Sequence, residues 1–534
     1  MNSKLIKYLT FSSLILVLNF SYGMQYQPDP KDIDSEMPAI IPTPQNIVWG
    51  SGSYILPVKN TICHNAESKN SVPWVEKLLD AAGKKADFTE AENCGNWKLN
   101  IDPELEDELG KEGYTLKIDD SGVNIKSAAK EGMFYGIQTL RQFFPAGIET
   151  GAMNSDIKLR HVEITDKPQF SWRGSMLDIA RSFLTKEYIK KHIDRMSLYK
   201  LNRLHLHLSD DQGWRIEIKG YPKLTEVGGK SAVKNGRSGY LTQEEYLDLQ
   251  EYAAKRNIVI IPEIDMPGHV YAALVSYPEL NCENNENIDP QRALPPDLYD
   301  GYNVGWTRLC LEDDSTYDFV DAIVKEMAEI TTGDWIHIGG DEIEDPLYEE
   351  FIQKADAIVS KYNKTTIGWE ESAKADLSDE FIVQRWNGQT KIAEGQKIID
   401  SFCKFFYLDH GNVTDQENTY KWCREDGVSL ETVYSYSTED ERVIGVEAPV
   451  WSELVISDDR ADDRLWPRSI ALAEVGWTKS SGRDFQDFVK RLAEHGERLS
   501  NLGIEYFKSP EVAWKIPNEK GVFSEKLSKK RINE

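Results

Sequence analysis

The sequence predicts an α/β protein in which a (β/α)8 TIM barrel follows a smaller α+β N-terminal domain. From residue 170 onward, short apolar runs alternate with longer amphipathic stretches, which is the pattern of parallel strands joined by helices. A chain of 534 residues is also too long for one ordinary core, and it has room for a barrel of about 250 residues or more beside a second domain. An open doubly wound sheet is the alternative, but no glycine-rich phosphate loop favours it.

The first 38 residues are predicted to lie outside the folded domains. Lys4 and Lys7 precede an apolar run, and small residues follow that run at the position of a cleavage site. This is the pattern of a secretory signal peptide over residues 1–23, since the run is too short to span a bilayer. A polar, proline-containing leader is expected over 24–38. We therefore expect export through the secretory pathway to an extracellular, periplasmic or lysosome-like compartment, with no membrane span.

The six cysteines fall into three local pairs along the chain. These pairs are Cys63 with Cys94, Cys282 with Cys310, and Cys403 with Cys423. Three disulfides that staple loops are expected in an oxidising compartment, although six cysteines allow 15 connectivities. No pair has the CxxC spacing of a metal site, so we expect no metal there.

Three further domain boundaries are predicted: an N-terminal α+β domain over 39–165, the barrel over 166–510 and a C-terminal tail over 511–534. The N-terminal domain is expected to contain strands over 61–63, 97–101, 114–118 and 123–127 and helices over 72–82 and 131–144. The barrel is expected to contain strands over 175–179, 203–208, 258–264, 335–338, 366–369, 381–386, 402–408 and 443–451, with helical stretches over 186–200, 242–256 and 317–330. No chemistry is evident in the N-terminal domain.

Polar and aromatic side chains follow every predicted barrel strand. In chain order they are Asp178 and Arg181; Asp210, Asp211 and Gln212; Glu263 and His269; Asp341 and Glu342; Trp369, Glu370 and Glu371; Arg385, Trp386 and Asn387; Tyr407 and Asp409; and Trp451 and Glu453. Barrel enzymes place functional groups at this end of the strands. Carboxylates accept hydroxyl hydrogen bonds and aromatic faces cover a sugar ring, so a neutral polyhydroxylated ligand is expected. The net charge of −27 argues against a nucleic-acid partner.

Asp341 and Glu342 are adjacent acids behind a short buried strand and two glycines. Glycoside hydrolysis usually needs an acid and a second carboxylate on the opposite side of the bond. Neighbouring residues should point in different directions, so this pair does not supply both faces. Either a remote acid completes the pair, or the substrate brings its own nucleophile.

The motifs at the strand ends resemble those of glycoside hydrolase family 20, the β-N-acetylhexosaminidases, over nearly the whole mature chain. The matching segments are Arg173-Gly-Ser-Met-Leu-Asp-Ile-Ala-Arg181, His205-Leu-His-Leu-Ser-Asp-Asp-Gln-Gly-Trp214, Pro262-Glu-Ile-Asp-Met-Pro-Gly-His269, His337-Ile-Gly-Gly-Asp-Glu342 and Trp451-Ser-Glu453. The resemblance implies an exo-acting enzyme that removes terminal β-linked N-acetylglucosamine, with N-acetylgalactosamine as a second candidate sugar. It also implies substrate-assisted retention through an oxazolinium intermediate, without a cofactor.

The same resemblance assigns roles to individual residues. Glu342 would be the acid and then the base, and Asp341 would hold the acetamido nitrogen. Tyr407 would donate to the acetamido oxygen, Trp369, Trp386 and Trp451 would enclose the methyl group and the ring, and Arg181, Asp409 and Glu453 would bind hydroxyls. Asp210 and His269 would tune Glu342 from behind.

Two rival functions are compatible with parts of the sequence. The spacing of His205 and His207 also resembles the metal-binding motif of metal-dependent amidohydrolases, because both side chains lie on one strand face. A catalytically inactive sugar-binding module is the second rival. Chitin fragments, glycoprotein glycans and glycolipids all stay open as natural substrates, and the sequence leaves the oligomeric state open.

Overall fold

The structure is a computed structural model that describes residues 37–91, 94–153, 156–282, 298–414 and 416–515. The predicted signal peptide lies outside the described residues, as do 24–36 of the leader and 516–534 of the tail. Residues 511–515 pack onto the barrel, since Val512 is buried and Glu511 accepts the backbone N–H of Leu430 at 3.1 Å. None of the helices in the described ranges is long and apolar enough to cross a membrane.

A seven-stranded mixed sheet forms the N-terminal domain. Its strands are β1 (Asn46–Ile55), β2 (Lys59–His64), β3 (Lys85–Glu90), β4 (Trp97–Ile101), β5 (Tyr114–Asp119), β6 (Gly122–Ser127) and β7 (Lys158–Asp166), in the order β1-β7-β5-β6-β4-β2-β3. Its helices are Val72–Ala81, Glu106–Leu109 and Lys130–Arg141. The four predicted strands and both predicted helices are present. The prediction missed β1, β3 and β7; β1 and β3 are the sheet edges, with many exposed side chains.

Eight parallel strands close the barrel, which confirms the predicted fold class. They are β8 (Trp172–Asp178), β9 (Arg203–His207), β10 (Val259–Glu263), β11 (Trp335–His337), β12 (Thr365–Trp369), β13 (Ile382–Arg385), β14 (Lys397–Asp400) and β15 (Val443–Val450). β15 pairs with β8 from Gly445↔Trp172 to Val450↔Leu177, and this pairing closes the cylinder.

The prediction of the seventh strand was wrong. The strand is β14, and the predicted segment 402–408 instead contains the helical turn Cys403–Phe406. β14 has four residues, so its buried pair Ile398 and Ile399 gives only a short apolar signal. The longer aromatic run that follows it forms a turn of helix instead.

Twelve α-helices among the described residues surround or extend the barrel. They are Lys186–Leu198, Lys223–Glu226, Gln243–Ala254, Tyr271–Ser276, Asp314–Ile330, Tyr348–Lys361, Cys403–Phe406, Leu430–Tyr434, Asp458–Leu465, Arg468–Trp477, Phe485–Glu494 and Gly496–Asn501. Their starts follow the capping chemistry of the sequence. Thr185 accepts the N–H of Tyr188, and Thr242 and Glu245 form a reciprocal capping box.

The centre of the barrel carries charge as well as apolar side chains. Glu447 accepts hydrogen bonds from Trp172 Nε1 at 2.9 Å and Gln384 Nε2 at 2.8 Å, and its Oε1 lies 2.8 Å from His205 Nδ1. His205 Nε2 lies 3.0 Å from Glu263, which also accepts from Trp369 Nε1 at 2.8 Å. Because buried carboxylates need such partners, the inward-facing residues are fixed in position.

A buried arginine joins the N-terminal domain to the barrel. Arg173 of β8 donates to the Glu112 carboxylate at 2.8 and 3.1 Å, to the Tyr135 hydroxyl at 3.1 Å and to the Lys200 carbonyl at 2.8 Å. Beside it, Lys200 forms a buried ion pair with Asp166 at 3.1 Å. The two domains therefore share paired charges in their interface.

We expect Glu112→Gln to destabilise the protein by roughly 3 kcal/mol, because it leaves the buried Arg173 guanidinium without its counter-charge. Denaturant unfolding at pH 7 measures the change in free energy. Glu163→Gln is the matched control, since Glu163 pairs with Lys117 on the surface at 3.8 Å, and it should change stability by less than about 0.5 kcal/mol. Equal effects of the two substitutions would contradict the role given to the interface charges.

Candidate active site

A cavity of about 260 Å³ opens at the carboxyl ends of the barrel strands. Its walls combine acids, basic groups and aromatic rings. The lining residues are Arg181, His269, Tyr302, Val304, Asp341, Glu342, Trp386, Tyr407, Asp409, Tyr420, Trp422, Trp451 and Glu453. Nine of these are among the eleven site residues expected from the sequence. The other two, Trp369 and Asp210, are buried behind the lining.

Asp341 and Glu342 leave β11 through a tight turn that requires glycine. Gly339 has φ +69°, and a Cβ there would lie 1.7 Å from the Asp265 carboxylate. Glu342 itself has φ +57°, a conformation that costs free energy in a non-glycine residue. Past this turn, one carboxylate oxygen of Asp341 lies within 4.8 Å of one of Glu342; the side chain of Asp341 is 14% exposed and that of Glu342 is 36% exposed.

Asp341 lies in surroundings that favour its protonated form more than water does. Burial raises the pKa of Asp341 to about 6; the nearby His269 opposes this rise, and the charge of Glu342 adds to it. Its Oδ1 is buried and has no hydrogen-bond partner within the described part of the chain. An unpaired buried oxygen of this kind is suited to accept a hydrogen bond from a ligand.

His269 connects the acid pair to the barrel. Its Nδ1 lies 3.3 Å from Asp210 Oδ1, and its Nε2 lies 3.4 Å from Glu342 Oε2 and 3.8 Å from Asp341 Oδ2. Despite burial, the Asp210 and Asp341 carboxylates raise the pKa of His269 well above its usual range. The residue therefore presents a charged imidazolium to the pair at neutral pH.

Asp210 is fixed by positive partners on three sides. His207 Nε2 lies 2.8 Å from its Oδ2, and Arg181 Nη2 lies 2.6 Å from the same oxygen. Although burial alone would raise it, Arg181 and His269 lower the pKa of Asp210, so the carboxylate stays ionised. Arg181 in turn contacts Asp178 at 3.4 Å and lies 5.0 Å from the Trp451 ring.

Three aromatic side chains form one wall of the cavity, and a fourth supports them from behind. Trp386 and Tyr407 are stacked with centroids 6.2 Å apart and an interplanar angle of 17°. Trp451 lies 6.1 Å from Tyr407 and 5.8 Å from Trp369. Trp369 is fully buried and donates to Glu263, so it supports Trp451 from the barrel side.

Two adjacent glutamates after β12 hold this wall in place. Glu370 accepts five backbone N–H groups, those of Trp386, Asn387, Gly388, Gln389 and Thr390, at 2.8 to 3.1 Å. Glu371 accepts the Trp386 indole N–H at 3.1 Å. Burial, with a contribution from Asp341, raises the pKa of Glu371 to about 7. The sequence did not distinguish these residues from a surface acid pair, because their partners lie on the next strand's loop.

The buried end of the cavity offers unpaired polar atoms. Asp409 Oδ1, Glu453 Oε2 and Arg181 Nε are buried and lack a hydrogen-bond partner among the residues described. Burial raises the pKa of Glu453 to about 7, against the effect of Arg181. A ligand with several hydroxyl groups would satisfy these atoms.

The sequence did not predict the residues that form the mouth of the cavity. Tyr302, Val304 and Trp422 are exposed there, and Tyr420 lines the same wall. They belong to long loops, where strand-end spacing gives no signal. The Cys403–Cys423 pair was the available signal, because that disulfide ties the Trp422 loop to the chain before Tyr407. The bonds Cys63–Cys94 and Cys282–Cys310 are also present as expected.

Asp211 is more than the simple loop acid that its position indicated. It is buried and accepts from Thr307 Oγ1 at 2.5 Å and from the Tyr271 N–H at 3.0 Å. Burial and the neighbouring Asp210 raise the pKa of Asp211 to about 6. The residue therefore fixes the loop segments that carry His269 and the cavity mouth.

Four histidine–carboxylate groups among the described residues have the spacing of a metal site, and the group that contains His205 bears on the amidohydrolase alternative. Donor atoms of His205, Glu263 and His337 lie within 4.8 Å of one another. Glu263, however, already accepts from Trp369 and pairs with His207 at 2.5 Å, and His205 pairs with Glu447. These contacts describe an internal ion-pair network in which the carboxylates are already compensated by protein groups.

The chain matches two family models in the arrangement seen in the fold. "Glycosyl hydrolase family 20, catalytic domain" matches residues 170–350 and 344–480, and "Glycosyl hydrolase family 20, domain 2" matches residues 37–167. A β-hexosaminidase of Porphyromonas gingivalis is 35% identical over 88% of this chain, which spans 64% of that protein's length. A β-N-acetylhexosaminidase of Cellulomonas fimi is 31% identical over 76% of this chain and 82% of its own.

Comparison with solved structures leads to the same family. A mutant β-hexosaminidase of Streptomyces plicatus in complex with the product GlcNAc is 34% identical, with a TM-score of 0.83 over 90% of this chain and 98% of that one. The barrel and its acid- and aromatic-lined cavity therefore define a glycoside hydrolase. The chain belongs to glycosyl hydrolase family 20. This membership excludes the amidohydrolase alternative.

Proposed function

We propose that the protein is an exo-acting β-N-acetylhexosaminidase that removes terminal, non-reducing β-linked N-acetylglucosamine. The geometry of Asp341 and Glu342 carries the proposal: the two acids are adjacent, share a strained turn and line one small cavity. The relatives named as β-hexosaminidases and the solved complex with GlcNAc support the choice of sugar.

The shape of the cavity supports exo action. Its volume of about 260 Å³ is below the range of roughly 300–1,000 Å³ that holds drug-sized ligands, so it suits a single sugar ring. Arg181, Asp409 and Glu453 are buried at one end and would bind the ring hydroxyls. The exposed mouth, with Tyr302, Val304 and Trp422, would contact the leaving group.

The mechanism that best fits the acid pair is substrate-assisted retention. The 2-acetamido oxygen attacks the anomeric carbon while Glu342 gives its proton to the leaving oxygen, which yields an oxazolinium ion. Glu342 then removes a proton from the water that opens this ring. Asp341 accepts the acetamido N–H and stabilises the positive charge that develops there. No second enzymic carboxylate is required across the bond.

The surrounding residues would serve these two acids. Tyr407 would donate its hydroxyl to the acetamido oxygen, and Trp386 and Trp451 would enclose the methyl group and the ring, with Trp369 behind them. The charged His269 would orient Glu342 and Asp341. Asp210 would keep His269 charged.

We also propose that the protein is exported. The N-terminal pattern of basic residues followed by an apolar run supports this, as do three disulfides among the described residues. Detection of the mature chain outside the cytoplasm, cleaved near residue 23, would test it.

Glu342→Gln should lower kcat on 4-nitrophenyl β-N-acetylglucosaminide by on the order of 10²–10⁴-fold, because the leaving oxygen loses its proton donor. A 2,4-dinitrophenyl leaving group should reduce the loss in the first step. The control is Glu344→Gln, an exposed acid two residues away, which should leave kcat unchanged. Folded wild-type protein without any turnover would instead support the inactive sugar-binding module.

In the pH profile of kcat/KM, the fall on the acid side should report the protonation of Asp341. Its pKa in the free protein is raised to about 6, so the group is protonated below that pH and can no longer accept the acetamido N–H. We expect kcat/KM to fall about tenfold per pH unit below pH 6, and Asp341→Asn to lower kcat by on the order of 10²-fold. A limb that persists unchanged in Asp341→Asn would assign it to another group, such as Glu371 or Glu453.

A further inference from the structure

His410 is a buried histidine directly behind the cavity wall, and both of its ring nitrogens are bonded. Nδ1 lies 3.1 Å from Asp409 Oδ2, and Nε2 accepts the backbone N–H of Cys423 at 3.4 Å. Its ring centroid is 5.3 Å from that of Trp422, which it meets edge to face. The residue therefore contacts one group at the buried end of the cavity and another at its mouth.

The partners of His410 determine its tautomer. A backbone N–H can only donate, so Nε2 must carry the lone pair. The proton is then on Nδ1, which donates to Asp409 Oδ2. This bond leaves Asp409 Oδ1, which has no partner in the described structure, available for a ligand at the buried end.

The second bond holds the loop that carries Trp422. Trp422 is 57% exposed at the mouth. Its ring meets those of Trp386 and Tyr407 edge to face, with a centroid distance of 5.9 Å in each case. The next residue, Cys423, is tied to Cys403 by a disulfide and to His410 through its N–H. These two bonds at Cys423 hold the backbone beside Trp422 in place next to His410.

We propose that His410 is a positioning residue that couples the two ends of the sugar site. Through Nδ1 it orients Asp409 toward the hydroxyls of the terminal sugar. Through Nε2 it holds the Trp422 loop against the sugar that occupies the leaving-group position. The proposal rests on the proposed function, because it takes the two ends to bind two linked N-acetylglucosamine units.

Two conservative substitutions separate the two bonds. The amide of asparagine replaces Nδ1, so His410→Asn keeps a donor for Asp409 but cannot reach Cys423. The amide of glutamine replaces Nε2, so His410→Gln keeps an acceptor for Cys423 and loses the donor for Asp409. Each variant is made in the Glu342→Gln background, in which bound disaccharide is hydrolysed slowly.

Calorimetry then measures the Kd of N-acetylglucosamine and of N,N′-diacetylchitobiose. His410→Gln should weaken N-acetylglucosamine about tenfold and keep the ratio of the two Kd values, since a hydrogen bond to a charged group is lost at the buried end. His410→Asn should keep the N-acetylglucosamine Kd within about twofold and weaken diacetylchitobiose about tenfold. His410→Ala should show both losses.

His495 supplies the control, because it is buried, is bonded through both ring nitrogens to Tyr199 and Ala39, and contacts no cavity residue in the described structure. His495→Asn and His495→Gln should lower the melting temperature without changing either Kd. If His410→Asn also weakens both sugars by the same factor, or if neither variant changes either Kd, the coupling is wrong.

Failure of the proposed function gives a different pattern. If Glu342→Gln protein binds both sugars but the wild type releases none, the proposed function fails and the role of His410 is still decided by the Kd values. If Glu342→Gln protein binds neither sugar with His410 intact, the coupling is overturned together with the sugar site.

Discussion

A row of alternating carboxylates and imidazoles runs from the centre of the barrel to the candidate active site. In order it is Glu447, His205, Glu263, His207, Asp210, His269 and Glu342, with successive contacts of 2.8, 3.0, 2.5, 2.8, 3.3 and 3.4 Å. Although burial alone would lower them, the neighbouring carboxylates raise the pKa of His205 to about 9 and hold the pKa values of His207 and His269 well above their usual range. Each charge in the row is compensated by its neighbours.

The contacts along this row fix the position of the candidate active site more strictly than apolar packing would. A buried charge without a partner costs several kcal/mol, so each member restricts the position of the next. Asp210 and His269 thus fix the place from which Glu342 and Asp341 face the cavity. Among the described residues, Oδ1 of Asp341 has no hydrogen-bond partner, and burial raises the pKa of Asp341 to about 6. The proposed acetamido N–H would donate to this oxygen.

The sequence predicted the parts of the molecule that depend on local pattern. The alternation of strands and helices, and the acids and aromatics at strand ends, led to the barrel and to nine lining residues of the cavity. What depends on contacts between loops was not predicted: the five amides held by Glu370, the mouth around Trp422, and the helix Cys403–Phe406 taken for a strand. Chain spacing carries no information about which loops meet above the barrel.

The central claim is that Asp341 positions a nucleophile that belongs to the substrate. The most direct measurement is log kcat/KM for 4-nitrophenyl glucosaminides whose N-acyl group carries zero, one, two or three fluorine atoms, because each fluorine weakens the carbonyl oxygen as a nucleophile. If that oxygen attacks the anomeric carbon, kcat/KM should fall steeply and steadily along the series. A flat series, with the trifluoroacetyl substrate cleaved as fast as the acetyl one, would contradict the account and require a nucleophile from the protein.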